Sequence, residues 1–235
     1  MRITMIGHST VLIDIGGRRV LTDPYFGTWG NPAYARLARP ARTREELTAV
    51  DCVLISHGHW DHVDSMFLRA LGVDVPVVTS VWARWQIRLQ GARDVRGLRT
   101  WQETQVGDLA ITATPAPHVA LGVGFVIRAG GRTVYFAGDT YHGAFTRKLG
   151  EHFAIDVALI PVTTYRIPMT MGEDGAVLAV RDLKPSVVVP IHEGLEPRSP
   201  LLRTDQTVGG FKRKLMESGV QAEVVVLRDG QSWPA

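Results

Sequence analysis

Three imidazoles and a carboxylate fall within the run His57-Gly58-His59-Trp60-Asp61-His62, directly after the apolar stretch 50–55 and Ser56. Neutral imidazole nitrogens and a carboxylate are the donors that Zn²⁺, Mn²⁺ or Fe binds. A solvated polar loop is the plain alternative. It fits poorly, because the chain has 8 His in all and spends three of them here. The apolar stretch reads as a buried strand, so the cluster lies on the loop at its C-terminal end. Alternate side chains of an extended segment point the same way, which puts His57 and His59 side by side on one metal. Asp61 and His62, where the chain turns, can then face a second.

Further candidates each close a later apolar run of β type. His118 follows the stretch 109–114 and a Pro-Ala-Pro turn, Asp139 follows 133–138, and His192 follows 187–191. Ends of several strands can converge on one edge of a sheet sandwich. Taken singly, His118 could be a surface residue and Asp139 a turn carboxylate or helix cap. His142 and His152 read as surface or helix histidines.

His-Xaa-His-Xaa-Asp-His after a strand, with His118, Asp139 and His192 following in that order, resembles the metallo-β-lactamase fold superfamily. That resemblance implies an α+β fold, the four-layer αββα sandwich, with one or two metals at its edge. It also implies that His57, His59 and His118 hold a first metal, that Asp61, His62 and His192 hold a second, and that Asp139 bridges the two. Gly7-His8-Ser9 and Leu21-Thr22-Asp23-Pro24, with the segment 169–176, further resemble the branch of ascorbate-6-phosphate lactonases and N-acylphosphatidylethanolamine-hydrolysing phospholipases D. In that branch the residues at His8 and Asp23 lie beneath the metals and orient the ligands. A satisfied core histidine and a turn-capping aspartate are the equal alternatives. Some relatives carry a further His near Thr170, and this chain has none.

The chemistry implied is hydrolysis. Paired divalent metals, with Zn or Mn favoured and Fe open, would hold a hydroxide between them, while Asp61 takes or returns a proton. We expect the opening of a lactone or cleavage of a phosphoester of a small molecule. A two-metal nuclease and a metal-dependent sensing protein without turnover are the alternatives. A Ser-His-Asp site on Ser9 or Ser56 would leave the ordered His and Asp series unexplained. Tyr25, Phe26, Trp29, Trp60, Tyr141 and Tyr165 stand near these motifs and could line a cleft, or simply pack over the sandwich edge. Arg166 could bind an anionic group of the substrate or form a surface ion pair.

These residues need a scaffold of alternating strands and helices. Strands are expected at 2–6, 11–15, 19–22, 75–79, 109–114, 124–129, 133–137, 157–161, 186–191 and 223–227, besides the one ending at Ser56. Helices are expected at 65–71, 81–90, 145–153, 173–183 and 205–218. Gly16-Gly17 and Gly130-Gly131 suit tight hairpins. The piece 31–44 reads as an insertion loop, with a short helix following at 44–47.

At 235 residues, with 45% hydrophobic composition and no low-complexity stretch, the chain reads as one domain, 1–235. The single Cys52 sits in an apolar strand, which suits a reducing compartment. No apolar run reaches the length of a membrane span or a signal-peptide core, so a cytoplasmic protein is expected. A net charge of +3 favours anionic small molecules only slightly. The basic residues are scattered, so no nucleic-acid partner is expected. A homo-oligomer remains open.

Overall fold

The structure, a computed structural model, describes residues 1–28 and 30–234. An antiparallel meander opens the first sheet: β1 (Arg2–Gly7), β2 (Thr10–Ile15) and β3 (Arg18–Thr22). The β2–β3 turn is Gly16-Gly17, at φ of 57° and 75°, values a side chain would resist. A short strand, β4 (Tyr34–Arg36), follows, and β5 (Cys52–Ile55) then returns parallel to β3. Crossovers through α1 (Ser65–Ala70) and α2 (Arg84–Leu89) add β6 (Val77–Ser80) and β7 (Val95–Leu98), both parallel. Asp64 starts α1 by accepting the Phe67 N–H, as a cap should.

The second sheet repeats the plan. Antiparallel strands β8 (Glu103–Val106), β9 (Leu109–Ala116), β10 (Gly122–Ala129) and β11 (Arg132–Phe136) come first. Helices α3 (Ala144–His152) and α4 (Gly172–Leu183) then carry the chain to the parallel strands β12 (Val157–Pro161) and β13 (Val187–Ile191). Strand β14 (Leu195–Pro197) pairs with β4, tying the insertion loop to the far half of the chain. Helix α5 (Val208–Glu217) and β15 (Glu223–Val224) complete this sheet, and β16 (Ser232–Pro234) crosses back to pair with β1. Among the described residues the two large sheets have seven strands each, in the orders β16-β1-β2-β3-β5-β6-β7 and β15-β13-β12-β11-β10-β9-β8, and β4 and β14 form a two-stranded sheet apart from them.

Period-2 alternation divides the strand residues between layers. Val157 and Leu159 face the other sheet, in one core with Ile3, Ile13, Cys52 and Leu54. Ala158 and Ile160 face outward beneath Leu149, Ala179, Val180 and Phe211 of the helices. On the opposite outer face, Val53 and Ile55 lie under Phe67 and Leu68 of α1 and Ile87 of α2. The layers are therefore helices, sheet, sheet and helices, the αββα sandwich expected. Each fully buried aliphatic or Phe side chain contributes roughly 1.5–3 kcal/mol. Burial pushes the Cys52 thiol well above its ordinary pKa, which leaves it an inert core residue.

Every expected helix and strand is present, with shifted ends. Helix α5 begins at Val208, where Thr207 accepts the Gly210 N–H, rather than at 205, and the last expected strand stops at Val224. Five strands were not expected: β4, β7, β8, β14 and β16. The segment 45–47 is a single 3₁₀ turn.

Candidate metal centre

Parallel strands bring their C-terminal ends to one edge of the sandwich, and the candidate residues sit just past those ends. The two sheets are stitched there by Val123 N–H to the Ser56 carbonyl at 3.0 Å and by His192 N–H to the His8 carbonyl at 3.1 Å. Gly138 makes the stitching possible. At φ +59°, a Cβ on it would lie 2.5 Å from the Ser56 Cβ, so only glycine lets the Asp139 loop close on the histidine loop. Three side-chain-bearing residues at this edge, His8, Asp23 and His192, also hold positive φ (59°, 34° and 70°). Such strain is commonly concentrated at working sites.

His57, His59 and His118 each offer a ligand atom, and these lie within 4.8 Å of one another. The same holds for His57, His62 and Asp139, and for His8, Asp61, His62 and His192. All seven residues of the expected ligand set thus meet in one place. Asp139 Oδ2 is central, 3.2 Å from His192 Nε2, 3.5 Å from His62 Nε2 and 3.8 Å from His118 Nε2. His57 Nε2 lies 2.9 Å from His59 Nδ1. Among the described residues, His62 Nε2, His192 Nε2, both His118 ring nitrogens and Asp139 Oδ1 are buried without a hydrogen-bond partner. Buried polar atoms are rarely left so. Several aimed at one point fit a cation, and the mix of imidazole and carboxylate fits a borderline divalent metal.

Beneath them, Asp23 fixes the ring states. It is fully buried, and its carboxylate accepts the Ser56 N–H and Oγ–H and faces His62 Nδ1, all at 2.7 Å. His62 must donate from Nδ1 to that carboxylate, so Nε2 is the nitrogen turned toward the cluster and can ligate once it gives up its proton. Since Ser56 Oγ–H is given to Asp23, the oxygen accepts from His57 Nδ1 at 2.9 Å, freeing His57 Nε2 in the same way. His8 is arranged oppositely. Its Nδ1 accepts the Gly194 N–H at 3.3 Å, so the proton sits on Nε2, 3.4 Å from Asp61 Oδ2. His8 Nε2–H therefore faces the Asp61 carboxylate as an electrostatic neighbour, without a hydrogen bond of its own, although it lies within the cluster.

Charge balance follows this geometry. Burial, and then His192, lowers the His8 pKa to about 3, so the ring is neutral. Burial likewise lowers His57, His59 and His118. For His62 and His192 burial also opposes the charged ring, but the neighbouring carboxylates, Asp139 foremost, outweigh it and raise both. Asp61 and Asp139 are held below the usual carboxylate range because the surrounding imidazoles overcome the cost of burial.

A cleft of about 190 Å³ opens over the cluster, lined by Tyr34, Trp60, Tyr165 and Met169 above and by His59, Asp61, Asp139 and His192 below. Trp60 and Tyr165 line it as sequence reasoning suggested. Tyr25 does not: it is buried edge-on against Trp60, with the Arg36 guanidinium 4.5 Å from its ring centroid. Arg166 is exposed and is not among the residues that line the cleft. Phe26 is core, Tyr141 donates to the Pro168 carbonyl, and Trp29 lies outside the described residues. His142 pairs with Asp182 and His152 with the Lys148 carbonyl, both apart from the cluster. Tyr34 and Met169 were missed.

The β-lactamase superfamily domain model matches residues 18–192. A UPF0173 metal-dependent hydrolase of Methanopyrus kandleri is 32% identical over 99% of this chain and 99% of its own. Among solved structures, Igni18, a metallo hydrolase from the archaeon Ignicoccus hospitalis, is similar at TM-score 0.79 and 27% identity, covering 100% of this chain and 98% of that one. The isothiocyanate hydrolase from Delia radicum gut bacteria shares the fold at TM-score 0.81 and 22% identity, over 100% and 99% of the two chains.

Proposed function

The chain belongs to the β-lactamase superfamily, among the metal-dependent hydrolases, and from that premise we propose that it hydrolyses a small, uncharged cyclic ester of the lactone type. His57, His59 and His118 would hold one divalent cation and Asp61, His62 and His192 a second, with the Asp139 carboxylate, central among them, available as a further donor. The observation that carries this reading is the convergence of buried, unpartnered His and Asp atoms on the floor of an apolar cleft. Bound divalent metal supplies Lewis acidity and brings the pKa of a coordinated water near neutrality.

The chain's own residues do the rest. Asp23, directly and through Ser56, keeps His62 and His57 in the tautomers that present Nε2. His8 Nε2–H faces Asp61 Oδ2 at 3.4 Å and helps keep that carboxylate ionised at the border of the cleft, where it can take a proton from the water that attacks the ester. Trp60, Tyr34, Tyr165 and Met169 give a substrate apolar surface and displace water from the reacting bond.

Among the described residues that line the cleft there is no Lys or Arg, and this favours a neutral ester over a phosphoester and disfavours the nuclease alternative. The test is elemental analysis of the purified protein with turnover of a lactone panel and a phosphodiester panel, each with a chelated control. We expect bound divalent metal and metal-dependent lactone opening. Metal-dependent cleavage of phosphodiesters alone would replace the substrate assignment, and a metal-loaded protein turning over neither panel would favour the sensing alternative.

A further inference from the structure

Helix α2 carries an apolar stripe on its solvent side. Trp82, just before it, Trp85 and Leu89 follow at spacings of three and four, and they are 68%, 71% and 83% exposed. Residues at this spacing share one helix face. The inward face is complete without them, filled by Ala83 and Ile87. Each indole offers ~150–250 Å², so the two leave on the order of 300 Å² in water, which alone equals the largest apolar patch of many monomers.

The stripe adjoins the metal loops. Gln86, on the same helix, donates to the Gly58 carbonyl at 2.6 Å, between His57 and His59. Ser80, at the end of β6, donates to the Leu121 carbonyl at 3.2 Å, and Leu121 and Val119, just after His118, are 68% and 64% exposed. Ser80, which also accepts the Ala83 N–H, thus ties the start of α2 to the loop after His118, and exposed apolar side chains stand on both.

Its charge is one-sided. Residues 81–93 contain Arg84, Arg88 and Arg93 and no Asp or Glu. These three are exposed, as is Arg69 of α1, whose side chain passes beside Gly91. None of the four is in an ion pair among the described residues. A two-fold contact with a second copy through this face would set the same arginines against each other. An apolar stripe with Trp, flanked by basic residues, suits instead an anionic lipid interface, where indoles sit at the headgroup level and arginines meet phosphate.

We propose that the face formed by Trp82, Trp85, Leu89 and Leu121, flanked by Arg84 and Arg88, docks on an anionic phospholipid surface and sets the cleft beside it. Docking of this kind is peripheral: no helix among the described residues is long and apolar enough to cross a membrane. It does not depend on which ester the site opens.

The test is co-sedimentation of the metal-loaded protein with vesicles of phosphatidylcholine alone and of phosphatidylcholine with phosphatidylglycerol, at low and high salt. Binding is expected only to the anionic vesicles and is expected to weaken in salt. Trp82→Ser with Trp85→Ser should reduce it at least tenfold, and Arg84→Ala or Arg88→Ala about fivefold each, the change one basic residue near the surface carries. Leu89→Ser, on the same stripe, is a second apolar test, and unchanged melting temperatures establish that the variants fold. Absence of binding, or binding indifferent to these substitutions, overturns the proposal. A concentration-dependent dimer in sedimentation velocity, lost with the tryptophans and without vesicle binding, would assign the face to a second copy instead.

Discussion

Asp23 Oδ2 lies 2.7 Å from His62 Nδ1, with both side chains fully buried, and the same carboxylate reaches His57 through Ser56. One aspartate at the end of the first parallel strand thus sets the ring states of two histidines on the neighbouring loop. An asparagine there could not accept from Ser56 N–H, Ser56 Oγ–H and His62 together. Asp23→Asn should weaken metal affinity about 10–100-fold, the range for partners of metal-ligating histidines. Chelator competition measures it, and unchanged affinity in a folded variant would show that Asp23 orients nothing.

His8 tests a different link, from the Gly194 N–H to Asp61. Removing the ring leaves Asp61 without the imidazole N–H that faces it but spares the residues expected to touch metal. His8→Ala should lower kcat/KM or metal affinity about 10–100-fold with the fold intact. His8→Gly isolates the side chain, because glycine tolerates the φ of 59° without strain. Full activity in both would make His8 a core histidine only.

Protonation and metal should compete. His62 and His192 hold their protons above the ordinary histidine range in the metal-free chain, and each must lose one before Nε2 can bind a cation. A raised histidine pKa contributes stability that is fully present below the unfolded value of about 6.5 and is lost as pH rises through the folded value. The metal-free protein should therefore lose that contribution on going alkaline, while metal affinity rises over the same interval. Calorimetric titration in buffers of different ionisation enthalpy should register proton release on binding. Affinity independent of pH from 6 to about 9 would contradict this account of the two rings.

Trp60 tests the cleft. It borders the site without belonging to the donor cluster, and Tyr25 supports it edge-on at 5.5 Å between centroids. Trp60→Ala should raise KM about tenfold for lactones, with kcat changed only a few-fold and metal content unchanged, the pattern of lost uniform binding. A fall in kcat at constant KM would give the indole a role in the reaction itself.

The donor residues could be read from the sequence because each closes an apolar strand, and such strands announce their ends locally. Tyr34 could not. It lies on a three-residue strand with no alternation, and the strand exists because it pairs with Leu195–Pro197, far along the chain. The same cause hid β7, whose Val-Arg-Gly-Leu carries a glycine, and β8, whose Glu-Thr-Gln-Val is largely polar. Tyr25 misled in the other sense. Proximity to Asp23 in sequence suggested a cleft wall, but its ring turns inward beneath Arg36. Helix α2 was legible as a helix, while the exposure of its tryptophans depends on which face the sheet covers.

The central claim is that these side chains hold metal. The most direct measurement is anomalous scattering from crystals of the metal-loaded protein, collected at the absorption edge of the element found by elemental analysis. One or two peaks are predicted, with ligating nitrogen and oxygen atoms of His57, His59, His118, Asp61, His62, Asp139 and His192 within about 2.5 Å of them. The same peaks should vanish in Asp139→Ala together with activity. Peaks elsewhere on the molecule, or activity undiminished in a protein verified to be metal-free, would contradict the account.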